Sequence, residues 1–385
     1  MIYLDNAATS CPKPPEVVAA VTHALESVCA NPGRGAYDTA LEAGRILLRT
    51  RRSLARLCGI RDESRVILLP NATQGLNLAL KGLLERTGGH VVISSLEHNA
   101  VVRPLAAMAD AGVTVTRVAC SPDGTTDPDD ILAAVRPDTR LVALTHASNV
   151  LGTLLPVEKV GPSLRERGVP LLVDAAQTAG SFPLDVEAMG IDLLALPGHK
   201  GLLGPMGVGA LYVGPTVHLD TLIEGGAGGD SASDQAPTEL PDRFEPGTLN
   251  LPGISGLHTG VELVSAEGVL EIGARERALG DRLRTGLADL EGVTLPGPRP
   301  GTPAAPVVSI AIPGTSSAEV AFVLDRAFGI AVRSGLHCAP EAHRVAGSLE
   351  TGLVRFSVGH ATTAADVTAA LDAVTEIVTK IALRG

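Results

Sequence analysis

Aromatic residues are nearly missing from this chain: three tyrosines, five phenylalanines and no tryptophan among 385 residues. Its core must therefore be built from Ala, Val, Leu and Ile. Cysteine is sparse too. The five cysteines, at 11, 29, 58, 120 and 338, are odd in number and widely spaced. That excludes a CxxC metal knuckle, so no metal site is expected, argues against a disulfide framework, and fits a reducing cytoplasm. No apolar run approaches the length of a membrane span. The opening "MIYLDNAATS" has neither the basic segment nor the apolar stretch of a secretory signal. Positive charge is in deficit, with 31 Lys and Arg against 42 Asp and Glu and a formal net charge of −11. Nucleic acid and anionic membrane surfaces are thereby disfavoured as main partners.

What is present reads as soluble and globular, with 45% hydrophobic and 19% charged residues. The length exceeds one ordinary domain, so a large domain and a smaller one are expected. From about 65 to 213, short apolar runs ("RVILL", "HVVIS", "VTVTRV", "RLVALTH", "PLLVDA", "DLLAL", "GALYV") alternate with helical patterns. One of these, "TQGLNLALKGLLERT", puts Leu76, Ala79, Leu80, Leu83 and Leu84 on one face. Such alternation means βαβ units and an α/β fold around a mainly parallel seven-stranded sheet flanked by helices. Ligands of such sheets bind beyond the carboxyl ends of the strands. The candidates there are Asn71 and Thr73, Glu97 and His98, His146 and Asn149, Asp174 and Gln177, and His199 and Lys200. The segment 224–250 is rich in Gly and Pro and reads as a long functional loop. A helical pattern over about 253–290 follows, then a proline-rich break. After the break come strand candidates "VVSIAI" and "LVRFSV" and a closing helix over about 362–382. The predicted division is an N-terminal segment (1–15), a large domain (16–252) whose N-terminal helix packs on the small domain, and a small α+β domain (253–385).

Two stretches carry chemistry. In "AVRSGLHCAP", Cys338 has polar and glycine neighbours, and a reactive thiol wants exposure and nearby positive charge, which Arg333 and His337 are placed to supply. In "PLLVDAAQTAG" and "GHKGLLGPMGVGAL", Asp174 ends a strand, and Lys200 follows one βα step later in a glycine-flanked loop. Alone, Lys200 could be a solvated loop lysine and Asp174 a helix N-cap. Together they match a Schiff-base lysine of lowered pKa and a carboxylate that pairs with a pyridinium nitrogen, the way proteins use pyridoxal 5'-phosphate.

The chain resembles the cysteine desulfurases among the class V, fold-type I, pyridoxal phosphate-dependent aminotransferases. The motifs run along nearly its whole length: "YLDNAAT", "NPGRGAY", "NATQGLNLALKG", "EHNAVVRP", "HASNVLG", "VDAAQTAG", "GHKGLLGP", "RFEPGTLN", "VRSGLHCAP" and "VRFS". The resemblance implies that Lys200 holds the cofactor covalently and later takes the substrate α-proton. It implies that Asp174 pairs with the ring nitrogen, Gln177 bonds the phenolic oxygen and His98 stacks on the ring. Ala72 and Thr73 at a helix N-terminus and His199 would bind the phosphate, with Thr248 reaching it from the second subunit of a homodimer. Asn149 would lie near cofactor and substrate. Arg355, assisted by Arg333, would clamp the substrate carboxylate, while Asp5 and Asn6 organise the N-terminal turn. Cys338 would attack the sulfur of L-cysteine, leaving alanine and a persulfide for a sulfur-acceptor protein. Two departures stand out: Pro197, where relatives often carry a serine, and Leu336, where a second histidine is common. A selenocysteine lyase, or another class V reaction with Cys338 idle, would use the same scaffold.

Overall fold

The computed structural model describes residues 1–32, 35–227 and 233–382. Residues 228–232 of the 224–250 loop and residues 33–34 of "NPGRGAY" lie outside the described residues.

The strands run in chain order as β1 (Ile2–Tyr3), β2 (Val66–Leu69), β3 (Gly89–Ser94), β4 (Val113–Val118), β5 (Thr139–Thr145), β6 (Leu171–Asp174), β7 (Leu193–Pro197), β8 (Gly209–Val213), β9 (Val307–Ile310), β10 (Ile330–Ala331), β11 (Arg333–Gly335) and β12 (Leu353–Ser357). Strands β2 to β8 form one seven-stranded sheet in the order β2-β8-β7-β6-β5-β3-β4. Every neighbouring pair is parallel except those of β8, which runs against both β2 and β7. This is the α/β architecture expected, and the apolar runs have a simple cause. Leu68, Val92, Leu144 and Val173 face one core, while Ile67, Val91, Ala143 and Leu172 face another. Helices cover both faces, so neither set of side chains meets water and the alternation of an exposed strand is absent.

Strands β11, β12 and β9 form a separate antiparallel sheet. Its apolar face joins Leu283 and Leu287 and the closing helix Ala364–Ala382 through Val367, Ala370 and Val374. Leu4 belongs to the same core, and β1 pairs with β10. The N-terminal segment is thus built into this region. The helical pattern over 253–290 is two helices, Leu251–Glu267 and Val269–Ala288, parted at Gly268, whose φ of 97° suits glycine. Ile254, Leu257 and Val261 of the first pack into the same core as the large sheet.

Candidate active site

Beyond the carboxyl ends of the strands lies a pocket open to solvent. Ala72, Thr73, His98, Asn149, Asp174, Gln177, His199 and Lys200 all line it, so most of the residues read from sequence come together. Asn71 accepts from the Gln74 amide at 2.9 Å and caps the helix Ala72–Leu84. The first-turn N–H groups of Ala72 and Thr73 keep no protein partner among the described residues. Gly209 makes room beneath them, for a Cβ there would sit 3.0 Å from the Asn71 carbonyl carbon and 3.1 Å from the Ala72 nitrogen. His199 Nδ1 is buried without a partner, and burial, then the charges of Lys200 and Lys13, push its pKa down to about 4. Two free amides at a helix N-terminus and an unpaired neutral imidazole nitrogen are the donor set a phosphate group requires.

The Lys200 loop is clamped from the N-terminal segment. The His199 carbonyl accepts from Thr9 Oγ1 at 3.0 Å and from Lys13 Nζ at 2.7 Å. Gly201 follows at a close approach where a Cβ would come 2.3 Å from the Ala179 carbonyl oxygen. Burial lowers the Lys200 amine to about 8, against the opposing charge of Asp174 and helped by Arg355 and Arg333. A substantial neutral fraction then exists near neutral pH, which a nucleophilic amine needs. Asp174, 4% exposed at the end of β6, accepts from the Ala176 amide at 2.9 Å. His98 caps the helix Asn99–Ala107 through Nδ1, which accepts from Ala100 N at 3.0 Å, and still lines the pocket. Capping and site placement are therefore compatible. Gln177 donates to the Ala7 carbonyl at 3.2 Å. Pro197 adds a ring without a hydroxyl to the same wall.

Glu97 and His146, also strand-end candidates, turn inward. Glu97 accepts from Ser94 Oγ at 2.6 Å and from the Thr145 amide at 2.8 Å, and His146 meets Thr178 Oγ1 at 3.0 Å. Thr248 sits in a different groove, beside Arg51 and Glu245, and does not line the pocket within one chain.

Arg355 on β12 is 1% exposed and stands in register with Arg333 on β11. Its Nη2 pairs with Asp5 Oδ1 at 2.8 Å, its Nη1 donates to the Asn149 carbonyl at 3.0 Å, and its Nε has no partner. Asp5 thus does more than shape the N-terminal turn: it is the anion that makes burial of Arg355 tolerable. The signal was the acid within "YLDNAAT", but nothing local ties it to residue 355.

Cys338 is exposed. Its carbonyl accepts from the Asn99 amide at 2.8 Å, and the His337 carbonyl accepts from Asn149 Nδ2 at 2.6 Å, so the cysteine turn is tethered to two loops that also carry pocket residues. One sequence expectation needs correcting. His337 supplies no positive charge to the thiol, because its ring is buried against His343 and burial, then the charge of Arg355, drives its pKa down to about 3. The arginine whose charge acts on Cys338 is Arg355. His343 and Ser348, behind His337, carried no sequence signal. Among the described residues no group of acidic, His and Cys side chains suits a metal ion, and no helix is long and apolar enough to cross a membrane.

The sequence matches the family model described as aminotransferase class-V over residues 2–370. The chain belongs to the class V aminotransferase family. Within it, a probable cysteine desulfurase of Methanothermobacter thermautotrophicus is 34% identical, with 95% of this chain and 92% of that protein covered. A cysteine desulfurase IscS of Anaeromyxobacter dehalogenans is 32% identical over 99% of this chain and 93% of its own. Among solved structures, the apo cysteine desulfurase of Thermococcus onnurineus NA1 superposes with a TM-score of 0.91 at 32% identity, covering 98% of this chain and 95% of that one. An S-sulfonic acid form of the cysteine desulfurase CsdA of Escherichia coli gives 0.87 at 25% identity, covering 99% and 95%.

Proposed function

We infer that the protein is a pyridoxal 5'-phosphate-dependent L-cysteine desulfurase that passes sulfur through Cys338. The observation that carries this reading is the joint placement of a desolvated Lys200, Asp174 and His98 in one pocket, with the Cys338 turn tied by the Asn99 amide to the residue next to His98.

When bound, the cofactor supplies an electron sink that weakens bonds to the α-carbon of an amino acid. The chain's own groups do the rest. Ala72, Thr73 and His199 would hold the cofactor's phosphate, Asp174 would pair with its ring nitrogen, Gln177 would donate to its ring oxygen, and His98 would lie against the ring. Lys200 Nζ would anchor it and, once freed, accept the proton from the substrate α-carbon. Arg355 and Arg333 orient the substrate carboxylate, with Asn149 holding Arg355 in place. Cys338, as its thiolate, attacks the substrate sulfur; the carbon–sulfur bond breaks with its electron pair staying on the carbon skeleton, which takes up a proton at the β-carbon and the one held by Lys200 at the α-carbon to leave as alanine. The sulfur left on Cys338 goes to an acceptor protein. Thr248, in a groove apart from the pocket, serves the partner subunit's phosphate in a homodimer. The cysteine turn belongs to a small domain that begins after the helix Leu251–Glu267, later than 253, because that helix packs into the large-sheet core.

The test is to incubate purified protein with L-cysteine and a reductant and measure alanine and sulfide together. Equal yields are expected, with Cys338→Ser abolishing sulfide while the visible absorbance of the bound cofactor persists. Brief exposure of the wild type to cysteine should add one sulfur to the Cys338 peptide. Extra sulfur on Cys11, Cys29, Cys58 or Cys120 instead, or full activity in the serine variant, overturns the assignment.

A further inference from the structure

His337 and Cys338 are consecutive left-handed residues, with φ of 51° and 59°. L-residues resist this conformation by roughly 1–2 kcal/mol each, so something must hold the turn. Two backbone tethers do part of this, the bonds from Asn149 and Asn99. A third hold is the His337 ring, which enters a buried row of side chains. His337 Nε2 lies 3.3 Å from the Arg333 carbonyl, His337 Nδ1 lies 3.2 Å from His343 Nε2, and His343 Nδ1 lies 2.9 Å from Ser348 Oγ. The two rings stack at 5.4 Å between centroids and 19° between planes, and both are buried, His343 completely.

The direction of every bond in this row follows from one end. A carbonyl only accepts, so His337 Nε2 carries a proton and donates to Arg333. In a neutral ring its Nδ1 must then accept, so His343 Nε2 carries a proton and donates to it. His343 Nδ1 in turn accepts, and the Ser348 hydroxyl donates. The alternative acceptor for that hydroxyl, the His343 carbonyl, is farther away at 3.4 Å. Burial, with the charge of Arg355 acting on His337, keeps both rings neutral.

We propose that Ser348 and His343 are positioning residues for the sulfur carrier, forming with His337 a one-way hydrogen-bond chain that locks the Cys338 turn and sets where its thiol points. The chain ties the turn to the carbonyl of Arg333, so the thiol and a carboxylate-binding arginine are registered to each other. This rests on Cys338 being the sulfur carrier.

The experiment compares wild type, His343→Met (similar bulk, no donor), His343→Gln (a donor retained toward His337) and Ser348→Ala. The expected results are specific. Nitrogen-15 spectra of histidine-labelled wild type, assigned by difference against His337→Asn and His343→Gln, show both rings protonated on Nε2 at pH 7. Single-turnover mass spectrometry shows sulfur reaching Cys338 at least tenfold more slowly in His343→Met, with the KM for cysteine within twofold of wild type. His343→Gln recovers to within about threefold. Amide hydrogen exchange at 337–339 accelerates in His343→Met and Ser348→Ala but not in His343→Gln. A ring protonated on Nδ1, a wild-type rate in His343→Met, or equal losses in the Met and Gln variants overturns the proposal. If His343→Met does not fold, the wild-type ring spectra and Ser348→Ala still decide it. If the wild type never carries sulfur on Cys338, the desulfurase reading falls, while ring tautomers and exchange continue to report on the chain.

Discussion

The side-chain amide of Asn149 donates a 2.6 Å hydrogen bond to the carbonyl of His337, 188 residues further along the chain, and the backbone carbonyl of Asn149 accepts from Arg355 at 3.0 Å. One residue after β5 therefore holds both the cysteine turn and the buried guanidinium. Asn149→Ala should destabilise the protein by about 1–2 kcal/mol, since a buried carbonyl loses its donor. It should slow sulfur transfer to Cys338 about tenfold while leaving cofactor absorbance intact. Urea unfolding and single-turnover mass spectrometry check the two effects. Unchanged transfer would mean the turn is held without it.

The pair Asp5 and Arg355 predicts a separation of stability from binding. Asp5→Asn leaves a buried guanidinium without its anion and should cost about 2–3 kcal/mol, less than a fully buried pair because the Asp5 side chain is 20% exposed. Arg355→Ala should in addition raise the KM for cysteine by one to two orders of magnitude, through loss of a charge-assisted contact worth roughly 1.5–3 kcal/mol. Kinetics of both variants beside denaturation curves distinguish the roles. Equal KM values in wild type and Arg355→Ala would place the carboxylate elsewhere.

Glu97 makes stability depend on pH. Burial, followed by the charge of Asp174 and against the donors Ser94 and Thr145, raises its carboxyl to about 8 from an ordinary 4.5. The unfolded carboxyl loses its proton first, so the native state holds more protons between those values. Its contribution is complete below pH 4.5 and is lost as pH rises through 8, with a slope of at most about 1.4 kcal/mol per pH unit. Glu97→Gln, which cannot ionise, should flatten that decline. Urea melts of both proteins at pH 5, 7 and 8.5 should converge as pH rises if wild type is the more stable at pH 5. A parallel pH dependence would show that Glu97 does not titrate in this range.

Thr248 lies apart from the pocket its own chain builds. If it serves a partner's phosphate, light scattering should find a dimer, and Thr248→Ala should weaken cofactor binding about tenfold, the loss of one charge-assisted hydrogen bond of roughly 1.5 kcal/mol. Cofactor titration followed by visible absorbance measures this. A monomer with full activity at low concentration would contradict it.

Much of the architecture and pocket was legible in the chain because the information was local. Apolar runs bounded by polar strand ends mark a doubly covered sheet. In that sheet the residues just past the strands converge whatever the helices between them look like, so Asp174, Lys200, His98 and Thr73 were findable. The break at Gly268 was not read from the sequence, because a helical period runs across it.

What the tertiary structure alone decided involves groups distant in sequence whose pairing no period or motif encodes. Asp5 meets Arg355 because β1 and the bridge from Asp5 to Ser357 dock the N-terminus beside β12. His337 reads as a charged neighbour of Cys338 until the fold turns its ring inward onto His343, where the cost of burying charge makes it neutral. Local chemistry is written residue by residue. Burial and long-range partners, which set charge state and reach, exist only once the chain has closed on itself.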